Sequence, residues 1–112
     1  MSDFDMQQMR SSARDASALM KALSNESRLM ILCNLSSGEK SVGQLQDVIG
    51  LSQSALSQHL ARLRQDGLVR TRRVSQTIYY SLEGDQAGRI IEVLYDLYCS
   101  AEPMPSRPVV SV

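Results

Sequence analysis

Ser52-Gln53-Ser54-Ala55-Leu56-Ser57-Gln58-His59-Leu60-Ala61-Arg62-Leu63-Arg64-Gln65-Asp66-Gly67 is the stretch on which the reading of this chain turns. Ser52 can cap a helix with its hydroxyl. Ala55, Leu56, Leu60 and Leu63 recur at three- and four-residue spacing, which gathers them on one face, and Gly67 follows as a stop. Gln53, Ser54, Ser57, Gln58 and Arg62 fall outside that apolar set. Just upstream, Ser41-Val42-Gly43-Gln44 has the spacing of a capping box. It opens a short helix through Leu45, Val48 and Ile49 that Gly50 ends. A short helix, a glycine turn and a longer capped helix make a helix-turn-helix pattern.

Downstream the period changes. Residues 68–74 and 76–82 are rich in β-branched and aromatic side chains and predict two strands of a hairpin, with Leu68, Ile78, Tyr80 and Leu82 toward the core. Arg70, Arg72 and Thr77 are expected near its tip or edges. A lone hairpin is marginal in water and must pack on helices, so this one reads as a wing. Upstream, a helix is expected from Asp5 to Leu23, with Met6, Met9, Ala13, Ala16, Met20 and Leu23 on one face. Another starts at Ser24 or Asn25, carries Leu29, Ile31, Leu32, Cys33 and Leu35, and stops near Gly38. A last helix from Asp85 to Cys99 aligns Ala87, Ile90, Ile91, Leu94, Leu97 and Tyr98. The expected fold is mainly α with a small β-hairpin: four helices, two strands and a fifth helix, a winged helix-turn-helix over residues 1–102. Residues 103–112 hold all three prolines and read as a disordered tail.

Lys and Arg balance Asp and Glu over the 112 residues, twelve against twelve. The distribution is less even: between Gln53 and Arg73 five arginines face one aspartate, whereas the chain beyond Glu83 is acidic. A local basic patch suits a reader of double-stranded DNA. A major groove admits one helix; Gln can bond adenine there and Arg guanine. Gln53, Ser54, Ser57, Gln58 and Arg62 are thus candidate base or phosphate contacts. The helix N-terminus at Ser52 offers amides to a phosphate, and Arg72, Arg73, Gln76 and Thr77 belong to the wing. The same polar residues would also suit a plain solvated helix face; the adjoining wing favours DNA. His59 is expected half-exposed, hydrogen-bonded or touching phosphate, and without a second histidine it is no metal ligand. The apolar faces of the first and last helices exceed what so short a chain needs for its core, which points to a homodimer on a pseudo-palindromic site.

No stretch approaches the ~20 apolar residues of a membrane span, and the start, Met1-Ser2-Asp3-Phe4-Asp5, lacks a signal-peptide core. The expected compartment is the cytoplasm, where Cys33 and Cys99 would be thiols. No Cys-x-x-Cys pair or Gly-rich phosphate loop suggests an enzyme or a cofactor.

Residues 25–32, 52–64 and 66–69 together resemble the ArsR/SmtB family of bacterial repressors, with Leu56-Ser57-Gln58-His59-Leu60 the most specific piece. The likeness spans roughly residues 12–100. It implies a dimeric winged-helix repressor released from DNA by an inducer. Two metal sites common in the family look absent: residues 41–48 hold no Cys-x-Cys, and the last helix no histidine. The settings of Cys33 and Cys99 are similar to the dithiol, persulfide-sensing branch of BigR, SqrR and HlyU. That resemblance implies a Cys33–Cys99 crosslink made by persulfide or polysulfide donors or by oxidants. A direct disulfide needs Cα atoms about 4.4–6.8 Å apart; a polysulfide bridge tolerates more. From spacing alone, Leu29 and Cys33 share an apolar stripe, and two inert packing thiols are the better reading. In that case the inducer is something else. A thiol enzyme for sulfane sulfur and a protein-interaction module complete the alternatives. A sensor needs at least one accessible thiol, and Cys99 is the expected one.

Overall fold

The computed structural model describes residues 5–99. The expected tail at 103–112 lies outside them. Helix α1 (Met6–Leu23) starts at Asp5, whose carboxylate accepts the amides of Gln7 and Gln8. Helix α2 (Glu26–Leu35) starts at Asn25, whose side-chain oxygen accepts the Arg28 amide at 3.0 Å. Arg28 Nε also donates to the Ala22 carbonyl at 2.7 Å. One side chain thereby satisfies a carbonyl at the end of α1 and braces the α1–α2 corner. Strand β1 (Lys40–Ser41) leads directly into α3 (Val42–Ile49). The capping box forms in full: Gln44 N donates to Ser41 Oγ, and Ser41 N to Gln44 Oε1 at 2.8 Å. Gly50 closes α3 at a φ of 82°, a conformation that favours glycine.

Helix α4 (Gln53–Gln65), strands β2 (Val69–Val74) and β3 (Thr77–Leu82), and α5 (Gln86–Tyr98) complete the chain. The hairpin turns through Ser75 and Gln76, with Ser75 at a φ of 59°. The sheet has three strands, ordered β1-β3-β2, rather than the two expected. The two-residue β1 pairs antiparallel with β3, Lys40 opposite Tyr80 and Ser41 opposite Tyr79. It ties the chain leaving α2 to the wing.

Leu32, Leu35, Leu45, Leu56, Leu60, Leu63 and Ile91 are among the buried side chains that join all the helices. Two hairpin assignments change. Val69 is buried, whereas Ile78 is 38% exposed because it lies toward the tip, beyond the reach of the helices. Tyr80 and Leu82 do pack on the core. Helix α2 ends at Leu35, before Gly38. The wide apolar faces of the outer helices are only partly used. Met6, Met9 and Met20 on α1 and Val93, Leu97 and Tyr98 on α5 remain exposed.

Candidate nucleic-acid interface and dithiol groove

Helix α4 buries Leu56, Leu60 and Leu63. That fixes its rotation and turns Ser54, Ser57 and Gln58 to solvent, with Gln53 at its start. Ser52 Oγ accepts the Ala55 amide at 3.1 Å, so its hydroxyl oxygen is engaged as the cap. The other amides of the first turn point along the axis, the usual place for an anion. His59 is half-buried on the flank of the helix. Arg62 is exposed but paired with Asp66, Nε to Oδ2 at 3.0 Å, a four-residue surface bridge of small energetic weight. Arg64 and Gln65 extend the exposed polar surface at the far end of α4; the sequence reading counted Arg64 in the basic patch but named neither as a contact.

The wing residues separate by position. Gln76 lies in the turn, Thr77 pairs with Val74 at the tip, and Arg73 sits opposite Ile78. All three are exposed. Arg72 sits further down, opposite Tyr79, and is held in a fork by Glu39: Nη2 to Oε1 at 2.7 Å and Nε to Oε2 at 3.0 Å. Its guanidinium carbon lies 5.3 Å from the Tyr79 ring centroid. The Arg72 hydrogen bond keeps the Glu39 carboxyl below the ordinary carboxylate range. Glu39 was not anticipated. It lies 33 residues from Arg72 in sequence, and only the pairing of β1 with β3 brings them together.

Cys33 and Cys99 come from different helices' ends and are both exposed, free thiols. On α2 the buried face is Ile31, Leu32 and Leu35. At about 100° per residue Cys33 falls off that face, so it is not the core thiol that its apolar neighbours suggested. Helices α2 and α5 pack together. A groove of about 550 Å³ runs along them, lined by Cys33, Ser36, Ile91, Glu92 and Tyr95 among others. Burial pushes the Cys33 thiol up from its ordinary value, and the nearby Cys99 adds to the shift. Cys33 lines this groove, and Cys99 caps the C-terminal end of α5. Among the described residues, no group of three or more His, Cys, Asp or Glu side chains gathers to hold a metal. No helix there is long and apolar enough to cross a membrane.

The profile described as bacterial regulatory protein, arsR family, matches residues 25–71. The transcriptional activator HlyU of Vibrio cholerae is 50% identical over 97 residues, covering 87% of this chain and 90% of that protein. The structure of reduced HlyU superposes with a TM-score of 0.80 over 84% of this chain and 99% of that one, at 51% identity. The transcriptional repressor BigR from Xylella fastidiosa gives 0.81 at 39% identity, over 87% and 99%. The homodimeric winged helix-turn-helix DNA-binding domain Mb0332 from Mycobacterium bovis gives 0.69 at 27% identity, over 86% and 92%.

Proposed function

This chain belongs to the arsR family of bacterial regulatory proteins, and from that premise we propose a homodimeric repressor that leaves its operator when Cys33 and Cys99 are crosslinked. It is a DNA-binding transcriptional regulator with a winged helix-turn-helix fold, and its relatives are regulators rather than enzymes. Helix α4 enters the major groove with Gln53, Ser54, Ser57, Gln58 and Arg62 toward base edges or phosphates, and Ser52 and His59 flank it. The wing, with Arg73, Gln76 and Thr77 exposed toward its tip and Arg72 further down, lies along the adjacent backbone. The exposed apolar residues of α1 and α5 meet their copies about a two-fold axis, an arrangement supported by the homodimeric neighbour. Two α4 helices then read two half-sites of a pseudo-palindrome. Of the similar proteins, one is named an activator and another a repressor. Both signs suit the same grip on DNA, which blocks polymerase at one promoter and displaces another silencer at a second.

The observation that supports the switch is a pair of exposed free thiols, Cys33 in the groove between α2 and α5 and Cys99 at the end of α5. One thiolate attacks the sulfane sulfur of a low-molecular-weight persulfide and takes it, releasing the parent thiol. The other cysteine is then captured. For a four-sulfur bridge, two cysteine thiols and three persulfides give the bridge, three thiols and one hydrogen sulfide. Two persulfides donate sulfur; the third is the two-electron oxidant. The shifted α2 and α5 carry α4 and the dimer contact out of register with successive grooves.

The test is the intact mass of the reduced protein after glutathione persulfide, with glutathione disulfide in parallel. The expected product gains two sulfurs and loses two hydrogens, and the bridge maps to the Cys33 and Cys99 peptides. An unchanged mass, or the same plain disulfide in both samples, would remove persulfide sensing and leave a general oxidant or another ligand as inducer.

A further inference from the structure

Strand β3 alternates: Tyr80 and Leu82 pack on the core, so Tyr79 and Ser81 occupy the opposite face of the sheet. The β2–β3 register puts Arg70 opposite Ser81 and Arg72 opposite Tyr79, on that outer face. Arg73 is opposite Ile78, on the face toward the helices. The two adjacent arginines therefore leave the wing in opposite directions.

Their partners differ as much as their directions. Arg72 reaches across the middle strand, over Tyr79, to both oxygens of Glu39 just ahead of β1. A two-point fork fixes geometry as well as charge. Arg73 forms no salt bridge among the described residues; its Nε bonds only the Ser75 carbonyl, at 3.2 Å. For Arg72 to grip a phosphate it must give up both Glu39 contacts and its place on Tyr79, and it would leave a carboxylate beside a polyanion. Arg73 forfeits one bond to a turn carbonyl.

We infer that Glu39 sets the charge of the wing: it withholds Arg72 from DNA and leaves Arg73 as the phosphate contact of the pair. Arg72 serves instead to strap the wing to the strand that leaves α2. Glu39 is thus a positioning residue for DNA binding. This rests on the DNA-binding reading alone and is independent of the thiol chemistry, since the protein is tested fully reduced.

The experiment measures the salt dependence of binding to a duplex selected from random-sequence DNA by the wild-type protein. Each phosphate contact adds about 0.9 to the slope of log K against log salt. Arg73→Ala should flatten the slope by about 0.9 per protomer, whereas Arg72→Ala should leave it unchanged. Glu39→Gln should steepen it by about the same 0.9 and tighten binding several-fold at moderate salt. That gain should vanish in Glu39→Gln with Arg72→Ala. Melting temperatures and an Arg72→Gln variant guard against a misfolded wing. The proposal is overturned if Arg72→Ala flattens the slope as Arg73→Ala does, if Arg73→Ala changes nothing, or if Glu39→Gln leaves the slope unchanged or weakens binding. If no duplex is selected at all, DNA binding itself fails, which is a different result.

Discussion

The Cys33 thiol sits above its ordinary range because burial disfavours the thiolate and Cys99 adds to the effect. Only the thiolate is nucleophilic, and a raised pKa keeps it scarce at neutral pH. The alkylation rate of Cys33 should therefore keep climbing from pH 7 to 9 without levelling. Peptide mass spectrometry after timed iodoacetamide pulses reads this, and a plateau below pH 8 would contradict it. Both cysteines were legible as candidates, and Cys99 was expected to be accessible, but the exposure of Cys33 was not legible. Leu29, Ile31 and Leu32 surround Cys33 in sequence, and only the rotation of α2 on the core turns it outward. The caps were easier to read because they act within three residues. Asn25 and Ser41 both accept the amide that their spacing predicts. Asn25→Ala should cost about 1 kcal/mol, measured by urea unfolding, and more if the Arg28 brace to Ala22 loosens with it.

At the scale of elements, the helices follow from apolar spacing and glycine stops, and their ends shift by one to three residues. The sheet was harder. Lys40 and Ser41 carry no β signal of their own, and β1 exists because β3 offers an edge to pair with. Ile78 looked like core by alternation, yet a hairpin longer than its support leaves the tip residues in water. The tip is also where the backbone is strained. Ser75 holds a φ of 59°, a region costly for residues with a Cβ. Ser75→Gly should stabilise the reduced protein by about 0.5–1 kcal/mol, seen as a raised melting temperature; a lowered one would mean that the serine side chain stabilises the turn. In α4, Leu60 is 1% exposed and packs into the shared core. Leu60→Ala should cost about 2–5 kcal/mol and loosen the helix that carries Ser57 and Gln58.

The whole molecule leaves an apolar surface on α1 and α5 that one copy does not cover. Val93 and Leu97, four residues apart, share one flank of α5, while Tyr95 and Cys99 share another. Dimer contact and thiol groove can therefore occupy different sides of one helix, and in the proposed switch a crosslink at the second would tilt the first. Leu97→Asp should shift the protein toward monomer in sedimentation velocity and weaken binding to a two-half-site duplex while leaving the thiols reactive. The surplus of apolar residues was visible in the sequence, but the division of α5 into two flanks needed the packing of α2 against it. The central claim joins these scales: a bond between Cys33 and Cys99 must lower affinity for DNA. The direct measurement is fluorescence anisotropy of a duplex selected by the reduced protein, titrated before and after glutathione persulfide, with Cys33→Ser and Cys99→Ser alongside. The account predicts at least about a tenfold loss of affinity in the wild type, reversed by dithiothreitol, and no loss in either variant. Unchanged affinity in protein whose mass confirms the bridge, or an equal loss in the serine variants, would contradict it.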